Sequence, residues 1–497
     1  MHRSLKTVSG IAAFAGLAAL MIVETAPLAR GQGAAPIATP GGQTTAAKRN
    51  YKDNGEYDLY NQAFKDAQNP AAQIKDLETW AQKYPDSDYK DVRTGMLVQA
   101  YGQLNPPQPV KVLDLASQLI TKDPKIVFDD PQDGRRQALS FLLTTAVAAG
   151  LAGQPALPNP TAAQVALGRT AAQRLKDEAK TFFVPANKPA TTSDVDWNTT
   201  HANLDAAADH TLLVLMIYKA EAVMASVAAK KPGVSAECKD VAEPAYRQAL
   251  AVYPNNSYVS YKLGQAFQCQ QKESPDKVFA AIYEYERAAV IDPTLGGAQP
   301  NATAIPAYAD KAYVNIHGSA DGLPELKLQV KQSAIPPDGF KFKTAREIAD
   351  EKQAQFEKDN PELAMWGKIK DFLTAPDDPT YFEDKLKDTE GPLLKGVVVD
   401  GACRGKELTV AFPKPGDTGA LVPEVKLKFT DLIFTGKPQP NTEITFEKAV
   451  ATAFTKEPFL LTMEVQKANV TGLKTAPCTP PPPAKKPAPP APPAAKK

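Results

Sequence analysis

The sequence predicts a multidomain chain: an all-α array of helical hairpins followed by a small all-β domain, either a barrel or a sandwich. Three observations carry this reading. Apolar residues recur at helical spacing over about residues 51–375, and the period changes to strand alternation after about residue 390. The helical part is punctuated by a proline after an aromatic or an aspartate, at Tyr84-Pro85, Asp123-Pro124, Tyr253-Pro254 and Asp292-Pro293. At 497 residues the chain exceeds one ordinary core, so several units are expected.

The N-terminus carries Arg3 and Lys6, an apolar run from Val8 to Val23, and small residues with proline up to Ala34. This is the pattern of an export signal over residues 1–30, the alternative being a retained N-terminal anchor. No cysteine precedes Cys238, which leaves no lipid attachment point at this end. Residues 31–50, rich in Ala, Gly, Pro, Gln and Thr, read as a flexible linker.

Within the array, helices are expected at about 56–67, 71–84, 89–104 and 109–120, with sets such as Leu97, Ala100, Tyr101 and Leu104 on one face. Longer helices follow at 135–151, 162–182 and 201–229, which do not phase onto a repeat. The clearest unit is Ser257 to Pro293. Its first helix carries Tyr261, Leu263, Gly264 and Phe267, and its second Ala281, Ile282, Tyr285, Ala288 and Pro293. The preceding helix repeats the grammar with Ala242, Tyr246, Ala249 and Pro254.

With about five residues inserted around Gln270 to Pro275, this pattern resembles the tetratricopeptide-repeat (TPR) family. The resemblance implies a solenoid of stacked hairpins in which Gly264 and Ala281 let two helices approach while Tyr261, Phe267 and Tyr285 fill the space between them. It also implies a scaffold for protein partners, with Tyr258, Lys262 and Gln265 on the receiving face. Further helices at 305–316, 344–358 and 361–373 are expected to close the array.

Four cysteines in an exported chain suit pairing. Cys238 at the start of helix 240–253 and Cys269 at the end of helix 257–270 fall side by side if those helices are antiparallel. A disulfide is therefore expected there, the alternative being free buried thiols. Cys403 and Cys478 form the second pair by elimination.

The β domain, 390–475, shows expected strands at 394–399, 407–412, 424–429, 443–446, 459–466 and 469–473. Their layout resembles an oligonucleotide/oligosaccharide-binding (OB) barrel. Phe429, Phe434, Phe446, Phe454 and Phe459 read as barrel core rather than stacking platforms. The tail, 476–497, is almost wholly Pro, Ala and Lys and reads as extended spacer.

Chemistry is sparse. The net charge of +1 gives no field for nucleic acid, and none is expected as partner. No phosphate loop, zincin helix or nucleophile elbow occurs, and Gly401 to Lys406 has the wrong spacing for the first. His201, Asp205 and Asp209, with His210 adjacent, are the one set suited to a metal, but a solvated helix face explains them better. Trp80, Trp197 and Trp366 read as packing residues. The expectation is a non-catalytic, cofactor-free scaffold of the bacterial envelope or periplasm. The alternative is a wall-polymer binder using the β domain and the basic tail.

Overall fold

The computed structural model describes residues 49–123, 127–128, 134–297, 301–375 and 380–478. The expected export signal lies outside the described residues, as do all but the last two residues of the linker and all but the first three of the tail. The chain divides into two compact units, Met1–Lys343 and Thr344–Lys497.

The first unit is helical: α1 (Asn54–Lys65), α2 (Pro70–Lys83), α3 (Lys90–Gln103), α4 (Pro109–Ala116), α5 (Gly134–Ala149), α6 (Ala162–Phe182), α7 (Asp194–Ala228), α8 (Glu243–Val252), α9 (Ser257–Cys269), α10 (Lys277–Ile291), α11 (Asn301–His317) and α12 (Leu323–Gln329). The boundaries follow local chemistry. Prolines open α2 and α4, where a missing N–H costs nothing, and Thr161 with Gln164 makes a capping box on α6. Tyr84, Tyr253 and Asp292 end α2, α8 and α10 with non-helical dihedrals, because the proline after each disfavours a helical turn.

Consecutive helices pair from α1/α2 to α9/α10, and each second helix also packs on the first helix of the next pair: α2 on α3, α4 on α5, α6 on α7, α8 on α9 and α10 on α11. The core is accordingly a chain of clusters. Trp80 and Leu77 centre the first, Leu139, Leu142 and Leu175 the second, and Tyr246, Leu263 and Phe267 the third. The 35-residue α7 is apolar and long enough to cross a membrane, yet it spreads its side chains over two clusters. Leu204, Ala208 and Leu215 serve one, and Ile217, Ala220 and Met224 the next. It is therefore the first helix of the α7/α8 pair, which sequence periodicity did not phase because a helix this long runs past one repeat.

Cys238, buried just before α8, is joined to Cys269 at the end of α9, with their Cα atoms 6.3 Å apart. A bridge of sequence separation 31 restricts the unfolded chain by about 3–4 kcal/mol. Replacing both cysteines by alanine should therefore lower the first unit's urea midpoint under non-reducing conditions; an unchanged midpoint would contradict this.

The second unit begins with α13 (Ala345–Asp359) and α14 (Pro361–Thr374), which sequence reasoning assigned to the end of the array. The reason for the difference is packing: α14 sends Trp366, Ile369 and Leu373 into the core of the strands. Trp366 stacks on Phe412 at 4.4 Å and donates its indole N–H to Glu424 at 2.6 Å, and Lys370 pairs with the same carboxylate.

The strands are β1 (Leu394–Gly401), β2 (Glu407–Ala411), β3 (Val425–Phe429), β4 (Lys437–Pro438), β5 (Glu443–Phe446), β6 (Val450–Thr455), β7 (Leu460–Val465), β8 (Val470–Thr471) and β9 (Thr475–Ala476). The main sheet is mixed, in the order β6-β7-β3-β2-β1-β5-β8, with β3 and β7 parallel. Only Glu447, Lys448 and Ala449 separate β5, which pairs with β1, from β6, which pairs with β7. The chain itself thus links the β1 side of the sheet to the β7 side. β6 escaped the sequence reading because its one buried position is Ala451, whose small side chain carries little strand signal, and a bulge between Ala451 and Ala453 breaks the alternation. β4 and β9 form a separate two-stranded ladder.

Candidate functional site

The α9/α10 hairpin is built around the residues that the sequence singled out. A Cβ on Gly264 would lie 2.7 and 2.8 Å from two Tyr285 ring atoms and 3.2 Å from the Ala281 carbonyl, so only glycine fits this crossing. Leu263, Phe267, Ala281 and Ala288 are buried beside it. Tyr285 meets Tyr261 at 5.5 Å and Tyr308 of α11 at 5.1 Å, and its hydroxyl donates to Gln268 at 2.7 Å. Pro293 follows Asp292, whose carboxylate accepts from the Thr294 and Gly296 amides, both at 2.9 Å, and so fixes the turn out of α10.

Across the first helices α7, α9 and α11 runs a half-exposed row: Glu221, Tyr258, Lys262, Gln265 and Tyr308. Its members hold one another. Glu221 accepts from Tyr246 at 2.8 Å and pairs with Lys262 at 3.0 Å, while the Lys262 ammonium sits 5.3 Å above the Tyr258 ring. Burial, then the Glu221 charge, pushes the Tyr258 phenol well above its ordinary value, so it stays a hydrogen-bond donor at all physiological pH. Tyr258 and Lys262 are therefore less free than their sequence assignment implied, Gln265 is as half-exposed as they are, and Tyr308, 41 % exposed, is the most open position of the row. The arrangement offers aromatic faces, hydroxyls, an amide and the Glu221–Lys262 ion pair.

Sequence reasoning missed the polar interior of α10. Glu284 and Glu286 are fully buried, and none of their carboxyl oxygens has a hydrogen-bond partner among the described residues. Burial raises both to about 8, opposed by Arg287 at Glu284 and by Lys327 at Glu286. Arg287, also buried, donates to Ser260 at 2.9 Å and to the Ser333 and Pro254 carbonyls. These charged residues are enclosed because α10 is covered by α9, α11 and α12 together.

The metal candidates are not brought together. His201 stacks on Phe183 at 5.0 Å with Nε2 3.5 Å from Asp205, and Asp209 pairs with Lys176 at 2.7 Å. Among the described residues no group of three or more His, Cys, Asp or Glu is placed to hold a metal. Trp80 donates to the buried Glu56 at 3.0 Å, and Trp197 packs on Phe182 and Phe183. Gly405 is tied back to Ala402 and accepts from Phe434, which makes the β1–β2 connection a closed turn rather than a phosphate cradle. No known family model matches the chain, and no curated protein matches it either.

Proposed function

We propose that this chain is a non-catalytic scaffold of TPR-type hairpins, exported to the bacterial envelope, that holds other proteins along its first-helix surface. The observation that carries the reading is the packing rule: each second helix lies against its own first helix and against the next one, from α1 to α11. That arrangement leaves one side of every first helix for a partner. The glycine crossing at Gly264 and the row ending at Tyr308 agree with it. Two disulfides suit an oxidising compartment outside the cytosol.

For the second unit, we infer an OB-type barrel. The pairing β1-β2-β3-β7, with β5 and β6 taken as one bent strand returning to β1, supports this. Phe429, Phe434 and Phe446 are buried in it, which favours their role as core over ligand stacking.

The test is affinity purification of the mature chain, beginning near Gly31, from envelope extracts under non-reducing conditions. A reproducible partner whose recovery falls at least tenfold with Tyr308→Ala and Gln265→Ala combined is the expected result. Recovery unchanged by that pair, or co-sedimentation with cell-wall sacculi that is lost in a chain ending at Cys478, would move the function to the polymer-binding alternative.

A further inference from the structure

The two disulfides differ in what surrounds them. Cys238 has no exposed surface and belongs to a helical core cluster with Ala242, Tyr246 and Phe267. Cys403 is exposed, and its partner Cys478 is half-exposed, beside an open cleft lined by Lys437, Pro438, Gln439, Pro440 and Pro477. The segment that Cys478 holds has little else to keep it in place. From Leu473 to Cys478 no residue is buried, and β9 pairs with β4 over only two positions, Lys437 with Ala476 and Pro438 with Thr475. One further backbone bond, from the Gln439 amide to the Lys474 carbonyl at 2.9 Å, completes the attachment. A two-residue ladder is unstable alone.

We propose that Cys403–Cys478 is a redox modification site of this chain, an exchangeable disulfide whose reduction by a dithiol releases the terminal strand. The reducing thiolate attacks the exposed sulfur of Cys403, the S–S bond breaks, and Cys478 leaves as a thiolate that takes up a proton. The second thiol of the reductant then attacks the mixed disulfide. Cys403 is freed as a thiol, and the dithiol has been oxidised to a disulfide by two electrons. Arg404 and Lys406, which follow the attacked residue in sequence, favour an approaching thiolate. Release uncovers the β4 edge at Gly436 to Gln439, where β9 now lies so close that a Cβ on Gly436 would collide with the Ala476 carbonyl. An open strand edge accepts another extended segment. Cys238–Cys269 exchanges more slowly, because Cys238 is fully buried in the helical core and only Cys269 is half-exposed.

The experiment treats the full mature chain with graded dithiothreitol, quenches with an alkylating reagent and reads each cysteine by peptide mass spectrometry. Cys403 and Cys478 are expected to become labelled together at least 100-fold faster than Cys238 and Cys269, and tryptic cleavage after Lys474 to rise in step. Equal rates, or earlier loss of Cys238–Cys269, would overturn the assignment. A Cys403→Ser, Cys478→Ser variant separates the clamp from the chemistry. Its residues 473–478 should lose hydrogen-exchange protection at least tenfold while β1, β2 and β3 keep theirs. Protection retained at 473–478 would show that the disulfide is not what holds the strand.

Discussion

Replacing Glu284 by glutamine is expected to stabilise the first unit by about 3 kcal/mol at pH 7 and by nothing below about pH 4. The sign follows from where the proton sits. In the unfolded chain this carboxyl has its ordinary value of 4.5, and in the fold it titrates at about 8 because full burial penalises the charged form more than Arg287 favours it. Between those values the unfolded chain has lost the proton and the folded chain has kept it. Each pH unit then costs the fold about 1.4 kcal/mol, and the loss levels off above pH 8. Glutamine fills the same space, cannot ionise and removes the slope. Glu286 has the same sign, since burial and Asp310 raise it and Lys327 at 4.0 Å opposes them. Urea unfolding of the first unit, followed by hydrogen exchange of the α10 amides from pH 4 to 9, measures this directly. A loss that grows above about pH 4 would mean that the native carboxyl is ionised and paired with Arg287, and a difference independent of pH would mean that folding does not shift it.

Those two acids also mark where the sequence stopped being legible. The helices and most strands could be read because each has one apolar face with the right period, as in α9 with Val259, Leu263, Ala266 and Phe267. The hairpin boundaries were readable through prolines that act locally on the preceding residue. Burial of α10 on every side was not readable, because enclosure depends on α11 and α12, which arrive from later in the chain. The seven-residue α12 is too short to show a helical period, and β6 buries only Ala451. Helices α13 and α14 were found at the right residues but assigned to the wrong unit. Periodicity identifies a helix's sticky face, whereas only the contact of Trp366 with Phe412 says what that face sticks to. Of the candidate surface, Tyr258, Lys262 and Gln265 were placed by resemblance, while Tyr308 emerged only through its contact with Tyr285.

Gly264→Val should cost the first unit about 3 kcal/mol or more, and Gly264→Ala about 1–3 kcal/mol, through overpacking at the α9/α10 crossing. The neighbour that would have to yield is the Tyr285 ring, 2.7 Å from the new Cβ. That ring cannot swing aside cheaply, because Tyr261 and Tyr308 flank it and its hydroxyl is held by Gln268. The new Cβ would also crowd the Ala281 carbonyl at 3.2 Å, so α9 could make room only by drawing away from α10 at the crossing. Gly367 in α14 is the matched control: a Cβ there meets nothing within 4 Å, so Gly367→Ala should be neutral or stabilising by up to about 1 kcal/mol through helix propensity alone. Thermal unfolding of both variants, with partner recovery in the affinity assay, links packing to function. If the hairpins act as a scaffold, Gly264→Ala displaces Tyr285, and with it Tyr308, so binding falls before the unit unfolds. Binding that survives at temperatures where the Gly264→Ala unit is still folded would place the partner elsewhere on the chain.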